Sequence, residues 1–250
     1  MRLLVSVSTP DEAIAALAGG ADIVDVKDPA EGALGAVGPA TLRAIRAVVT
    51  PPALLSAALG DAPRLPGTLV LAAAAAACPV DYVKVGLLTV RDERAALRLL
   101  RAVRAATQEV GPRTEAAGPR PGLGVVAVAY ADAERVGAFP PARLPALARR
   151  AGLHGVLLDT AVKDGTTAIE ALGQSGVARV LADARALDLL AGLAGALRLE
   201  DLPRAAELGA ELVGVRGAAC EGGRLGRVSA EKVSALREAL GLEAVPAPTG

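Results

Sequence analysis

The chain has 250 residues, with 27 basic and 27 acidic side chains and a formal net charge of zero. That balance excludes the basic surplus on which nucleic-acid binding runs, and two Tyr, one Phe and no Trp leave almost nothing to stack on bases. The length allows two average domains or a single α/β barrel of about 250 residues.

In chain order, residues 2–8 read as a strand, and Thr9-Pro10-Asp11-Glu12 as a helix start whose helix closes on Gly19 and Gly20. Residues 22–27 form a second strand. A glycine-rich loop, AEGALGAVG, then leads to Pro39, which opens a helix through Val49. Residues 53–59 are strand three, followed by an alanine-rich helix over 67–77. Residues 81–88 are strand four, and 91–110 a long amphipathic helix of Arg, Ala and Leu. The turn Gly122-Leu123-Gly124 reads as a loop leading into strand five, 124–132, with a helix after Pro140 and Pro141. Strand six is 155–163, with helical material over 167–186; strand seven is 189–197, with its helix at 202–208. Strand eight is 211–218, and Ser229 caps a last helix through Leu240.

Eight strand–helix units of about 31 residues, with no linker between them, imply parallel strands joined by right-handed crossovers. An open doubly wound sheet would normally carry a GxGxxG turn after its first strand, where this chain has STPDEA. The expected fold is therefore α/β, a single (β/α)8 TIM barrel over residues 1–242, with 243–250 as a disordered tail. Cys78 and Cys220, isolated and without ligand spacing, read as two reduced buried thiols. The charged start of the chain resembles no signal peptide, and the longest apolar run, 69–78, is too short to span a bilayer. A soluble, cytoplasmic protein is expected, with no membrane partner; a homo-oligomer is left open.

The choice of cation is informative. Of the 27 basic residues 23 are Arg, and the four lysines are Lys27, Lys84, Lys163 and Lys232. Where a GC-rich genome lets exposed cations drift to Arg, the lysines that persist are candidates for work that needs an amine. Strand alternation puts Asp25 and Lys27 on one face at the end of strand two, Lys84 within strand four, and Asp159 and Lys163 on one parity at the end of strand six. All three strands are even-numbered, and their carboxyl ends form the active face of such barrels. Lys232 reads as a solvated residue on the outside of the last helix, and the single histidine, His154, falls at the opposite end from the lysines.

Crowded, desolvated lysines lose their protons more easily, and a neutral amine can attack a carbonyl to form an imine. The protonated imine acidifies the neighbouring carbon, and a second lysine or a carboxylate can move the protons. The bland alternative makes Lys27, Lys84 and Lys163 members of buried ion pairs with Asp25, Asp28 and Asp159, a costly arrangement in a core of Ala, Val and Leu. Glycine-rich turns after strands seven and eight, with Gly195, Ala196, Gly217 and Ala218, suit a phosphate, to which Arg216 could add a charge. No residue set suggests a transition metal.

The segments DIVDVKDPAEGALGA, DYVKVGL, GVLLDTAVKDG, GLAGAL and GVRGAAC, in this order, resemble the (5-formylfuran-3-yl)methyl phosphate synthases, also called 4-(hydroxymethyl)-2-furancarboxaldehyde-phosphate synthases. The resemblance extends over nearly the whole chain. It implies a TIM barrel that condenses two molecules of glyceraldehyde 3-phosphate, a phosphosugar, into a phosphorylated furan aldehyde with loss of phosphate and water, an early step towards methanofuran-type one-carbon carriers. It also implies imine formation at Lys27, proton transfer by Lys84, further active-site positions at Asp25, Asp159 and Lys163, and no cofactor. One departure stands at Ala196, where a Ser is expected, so that backbone N–H groups would have to hold the phosphate there. Rival readings are another Schiff-base phosphosugar aldolase or isomerase, and a non-catalytic barrel that binds a phosphometabolite.

Overall fold

The computed structural model describes residues 1–61, 67–78, 80–110 and 123–243. The tail expected from residue 243 onward, apart from Glu243, and Gly122 of the expected loop lie outside those residues.

Eight parallel strands close into a barrel: β1 (Arg2–Val7), β2 (Ile23–Val26), β3 (Leu54–Ala58), β4 (Tyr82–Gly86), β5 (Gly124–Tyr130), β6 (Gly155–Asp159), β7 (Leu190–Leu193) and β8 (Leu212–Val215). Each pairs with the next, and β8 pairs back onto β1 through Leu3↔Val213 and Val5↔Val215. The (β/α)8 expectation is met, with each strand ending one to four residues earlier than the apolar runs suggest. Strand seven shows why: Gly195 and Ala196 adopt φ of +93° and +52°, so the ladder cannot continue through them.

The main helices are α1 (Pro10–Ala18), α2 (Pro39–Val48), α3 (Gly67–Ala77), α4 (Glu93–Val110), α5 (Ala133–Val136), α6 (Leu144–Ala151), α7 (Ala168–Leu172), α8 (Gln174–Ala186), α9 (Leu202–Glu207) and α10 (Ala230–Ala239). The Thr9 side chain caps α1 by accepting the Glu12 N–H, and Ser229 caps α10 by accepting that of Lys232. Besides the one-turn helix α5, two features were not anticipated. The helical stretch after strand six is broken at Gly173, φ +75°, into α7 and α8, and Thr167 and Glu170 form a capping box at the start of α7. After β8 the chain makes a short antiparallel hairpin, β9 (Cys220–Glu221) with β10 (Arg227–Val228), before α10.

The core has three parts. A large apolar layer of Val, Leu and Ala separates strands from helices. Inside the barrel, Leu4, Ile23 and Leu212, backed by Leu54, Tyr82 and Leu190, close the floor. Above that floor the inward positions of β1 to β4 turn polar while those of β5 to β7 stay apolar with Val126, Val128, Leu157 and Ala194, and this places the site.

Candidate active site

Period-two alternation carries each interior row upward from the apolar floor. Leu4 is followed inward by Ser6, Ile23 by Asp25, Leu54 by Ser56 and Tyr82 by Lys84. The strand register sets Ser6 beside Asp25 and Asp25 beside Ser56. One further step up stand Lys27, just past β2, and Asp159, the last residue of β6.

The side chains meet as the parity argument expects. Lys84 Nζ lies 2.6 Å from Asp25 Oδ2, which also accepts from Ser6 Oγ at 3.0 Å. Lys163 Nζ lies 2.8 Å from Asp159 Oδ1 and 3.3 Å from Thr160 Oγ1. Lys27 differs. It makes no ion pair among the described residues, and its Nζ donates to the Ala33 carbonyl at 3.1 Å. Asp28, the partner offered by the bland alternative, instead caps a short 3-10 turn by accepting the Ala30 N–H. The ion-pair alternative therefore holds for two of the three lysines and fails for Lys27.

Burial pulls Lys27 down to about 8 from the usual lysine range; Lys84 and Lys163 push the same way, while Asp159 and Asp25 oppose. Burial alone would raise Asp159, but the Lys163 and Lys27 charges and the hydrogen bonds from Lys163 and Thr160 hold its carboxyl below the usual range. The site thus contains one amine that gives up its proton more readily than an ordinary lysine, flanked by two Lys–Asp pairs.

A cavity of about 580 Å³ opens onto these groups, with Lys27, Lys84, Asp159 and Lys163 in its wall. Asp25 is fully buried beneath them and reaches the cavity through Lys84. Gly195, Ala196, Gly217 and Ala218 line the same cavity, as the glycine-rich turns suggest. Gly195 combines a positive φ with close packing, since a Cβ there would come within 3.0 Å of the Asp159 carbonyl carbon and 2.9 Å of the Thr160 nitrogen.

Two expectations are corrected. Arg216 borders the cavity but has no free donor: its five N–H groups go to both oxygens of Glu12 (2.7 and 2.9 Å) and to the carbonyls of Ser6, Arg224 and Gly226. It is a buried brace whose charge Glu12 cancels, rather than a loose cation for phosphate. Lys232 is partly exposed to solvent, as expected, but on the cavity side of its helix and not the outer one. It sits in the first turn of α10, lines the cavity and lies 3.6 Å from Glu221. Its cap, Ser229, was the available signal, because the first turn of a helix that follows a barrel strand faces the active end.

Arg224 was missed as well. It belongs to the β9–β10 turn and crosses the mouth to the carbonyls of Pro29 and Gly32. His154 lies exposed before β6 and accepts the Val125 N–H at Nδ1, away from the cavity as expected. Both cysteines are buried free thiols, and burial raises each. No helix among the described residues is long and apolar enough to cross a membrane.

Solved structures similar to this chain include KGPDC from Streptococcus mutans, with a TM-score of 0.65 at 14% identity over 96% of this chain and 97% of that one. Phosphoribosyl anthranilate isomerase from Thermus thermophilus gives 0.61 at 18%, covering 96% and 98%. At such identities the likeness concerns the barrel alone. Sequence relatives are far nearer. The (5-formylfuran-3-yl)methyl phosphate synthase of Methanocaldococcus jannaschii is 43% identical over 95% of this chain and 99% of its own length. The proteins of the same name from Methanopyrus kandleri (44%, covering 96% and 98%) and Methanosarcina mazei (40%, covering 94% and 97%) are similar to it as well. The sequence model of the 4-HFC-P synthase family matches residues 3–237, and the chain belongs to that family.

Proposed function

We propose that this protein is a Schiff-base lyase that condenses two molecules of glyceraldehyde 3-phosphate into (5-formylfuran-3-yl)methyl phosphate, in the biosynthesis of a methanofuran-type carrier. The atoms balance when one inorganic phosphate and two water molecules leave. The observation that carries the proposal is Lys27: a buried amine without a carboxylate partner, drawn down to about 8, facing the cavity beside two Lys–Asp pairs.

In this mechanism neutral Lys27 attacks the aldehyde carbon of one triose, the C–N bond forms and water departs. The resulting protonated imine withdraws electrons from the adjacent carbon. Asp159, held ionised, accepts the proton released there, and Lys84, paired with Asp25, gives one back later in the cycle. Lys163 keeps Asp159 oriented and charged. The phosphate groups lie against the N–H groups of Gly195, Ala196, Gly217 and Ala218, with Lys232 as the nearby cation in place of Arg216. Asp25 acts through Lys84 and touches no substrate.

Borohydride reduction in the presence of glyceraldehyde 3-phosphate, followed by peptide mass spectrometry, tests the imine. A covalent adduct at Lys27 is expected, together with a near-ultraviolet chromophore from glyceraldehyde 3-phosphate alone. A product without that absorbance would mean a simple aldolase or isomerase. Saturable binding without turnover, with Lys27→Arg tolerated, would mean a binding barrel.

A further inference from the structure

The loop after β2 meets Lys27 through a single peptide unit. The carbonyl of Ala33 accepts from Lys27 Nζ at 3.1 Å, and the N–H of that same unit, on Leu34, donates to Asp61 Oδ2 at 2.9 Å. The other oxygen of the carboxylate, Oδ1, accepts from the Tyr130 phenol at 2.5 Å. An unbroken chain of hydrogen bonds thus runs from the amine in the cavity to a tyrosine that is 0% exposed. Burial, then the Asp61 charge, push that phenol well above its usual range, so it stays a donor.

The surroundings are shaped for this chain. Gly32 has φ +110°, and a Cβ there would collide with Asp61 Oδ2. A Cβ at Gly86 would collide with the Tyr130 hydroxyl and come within 2.9 Å of Asp61 Cα. Two positions therefore lack a side chain where one would displace the pair. Arg224 holds the same loop from the other side, through the Pro29 and Gly32 carbonyls.

From this geometry we infer that Asp61 and Tyr130 are positioning residues for Lys27, holding the Ala33–Leu34 peptide so that its carbonyl keeps one N–H of the Lys27 nitrogen throughout the reaction. The physical reason lies in what that nitrogen must do. As a neutral amine it has one lone pair, and anchoring an N–H turns that lone pair towards the cavity. As a protonated imine it has one N–H, which needs an acceptor if the electron sink is to keep its charge. A carboxylate on the far end of the peptide polarises the carbonyl and strengthens that acceptor. The inference rests on the imine reading for its chemistry but not for its geometry.

Asp61→Asn and Tyr130→Phe test it, each checked for folding by circular dichroism. Trace acetylation with acetic anhydride across pH, read at Lys27 by mass spectrometry, reports the amine without any substrate. Asp25, Lys84, Asp159 and Lys163 also face Lys27; neither substitution replaces any of them, and only Tyr130 neighbours one, Asp159, across the β5–β6 ladder. In Asp61→Asn the midpoint is expected to fall from about 8 by roughly half a unit. The kcat for furan formation should fall about tenfold with KM little changed. Tyr130→Phe should lower kcat about threefold or more, and it carries the test alone if Asp61→Asn does not fold. A folded variant with the parent kcat overturns the inference, as does a lowered kcat in Asp61→Asn with an unmoved Lys27 titration. Failure to trap an adduct at Lys27 in the parent enzyme would overturn the imine instead, and the acetylation titration would still decide the role of Asp61.

Discussion

A lysine that attacks a carbonyl has to shed its proton first, and the wall of this barrel supplies the means: burial and two neighbouring ammonium groups outweigh the opposing charges of Asp159 and Asp25. The rate of imine formation is accordingly expected to rise about tenfold per unit of pH below 8 and to level off above it, in a profile of kcat/KM for glyceraldehyde 3-phosphate. The same residue bears on stability. The folded chain binds the Lys27 proton less tightly than the unfolded chain does, so this position penalises folding most below about 8. The penalty fades as pH rises towards the ordinary value of 10.5. Lys27→Met is therefore expected to abolish the adduct yet raise unfolding stability at pH 7 by on the order of 2 kcal/mol in urea titration. A loss of stability would mean that the site does not store strain at this amine. The buried lysines were legible from sequence because the chain prefers Arg elsewhere, and the proposed imine needs an amine. Asp61 and Tyr130 were not, because their role depends on which carbonyl a loop presents, and no residue pattern encodes that.

Between elements, the Glu12–Arg216 pair joins α1 to the end of β8 and holds the β9–β10 hairpin through the Arg224 and Gly226 carbonyls. Sequence reasoning found Arg216 at the right end of the barrel but gave it the wrong partner. Glu12 lies 204 residues away in the chain, and such a distance hides a buried pair from any local pattern. Removing one member leaves the other charge buried and unmatched. Glu12→Ala is expected to cost about 3–5 kcal/mol by urea denaturation, with Arg224 and the mouth of the cavity loosened together. Acid should act in the same direction. Burial tends to raise the Glu12 carboxyl, but the hydrogen bonds from Arg216 and Ser8 outweigh it and hold it below the usual range. Its contribution is complete above the unfolded carboxylate range and is lost as pH falls through the lowered value. A Glu12→Ala variant as stable as the parent would remove Arg216 from the structural framework and return it to the candidates for phosphate.

On the scale of the whole molecule, the alternation of apolar runs and helix signals was enough to give eight units and a closed barrel, because period-two and period-3.6 patterns survive in any context. The small devices that finish the closure did not show in the pattern: the hairpin after β8, and the place where the last helix meets the first. There α1 ends on Gly19, where an added Cβ would come within 2.5 Å of both the Ala230 carbonyl oxygen and Val233 Cβ on α10. Backbone on one side and a β-branched residue on the other leave little room to yield, so the two ends of the chain lock through a missing side chain. Gly19 has φ −81°, a conformation open to any residue, so conformational freedom is not what the position demands. Gly19→Ala is thus expected to destabilise through overpacking by about 1–3 kcal/mol, seen as a thermal midpoint several degrees lower. Gly38→Ala provides the control. It caps α2 at φ −68° with no atom within 4 Å of a new Cβ, and should shift stability by no more than about 0.5 kcal/mol. Equal effects at the two positions would show that the barrel closes through the β1–β8 ladder alone, with no part played by the α1–α10 contact.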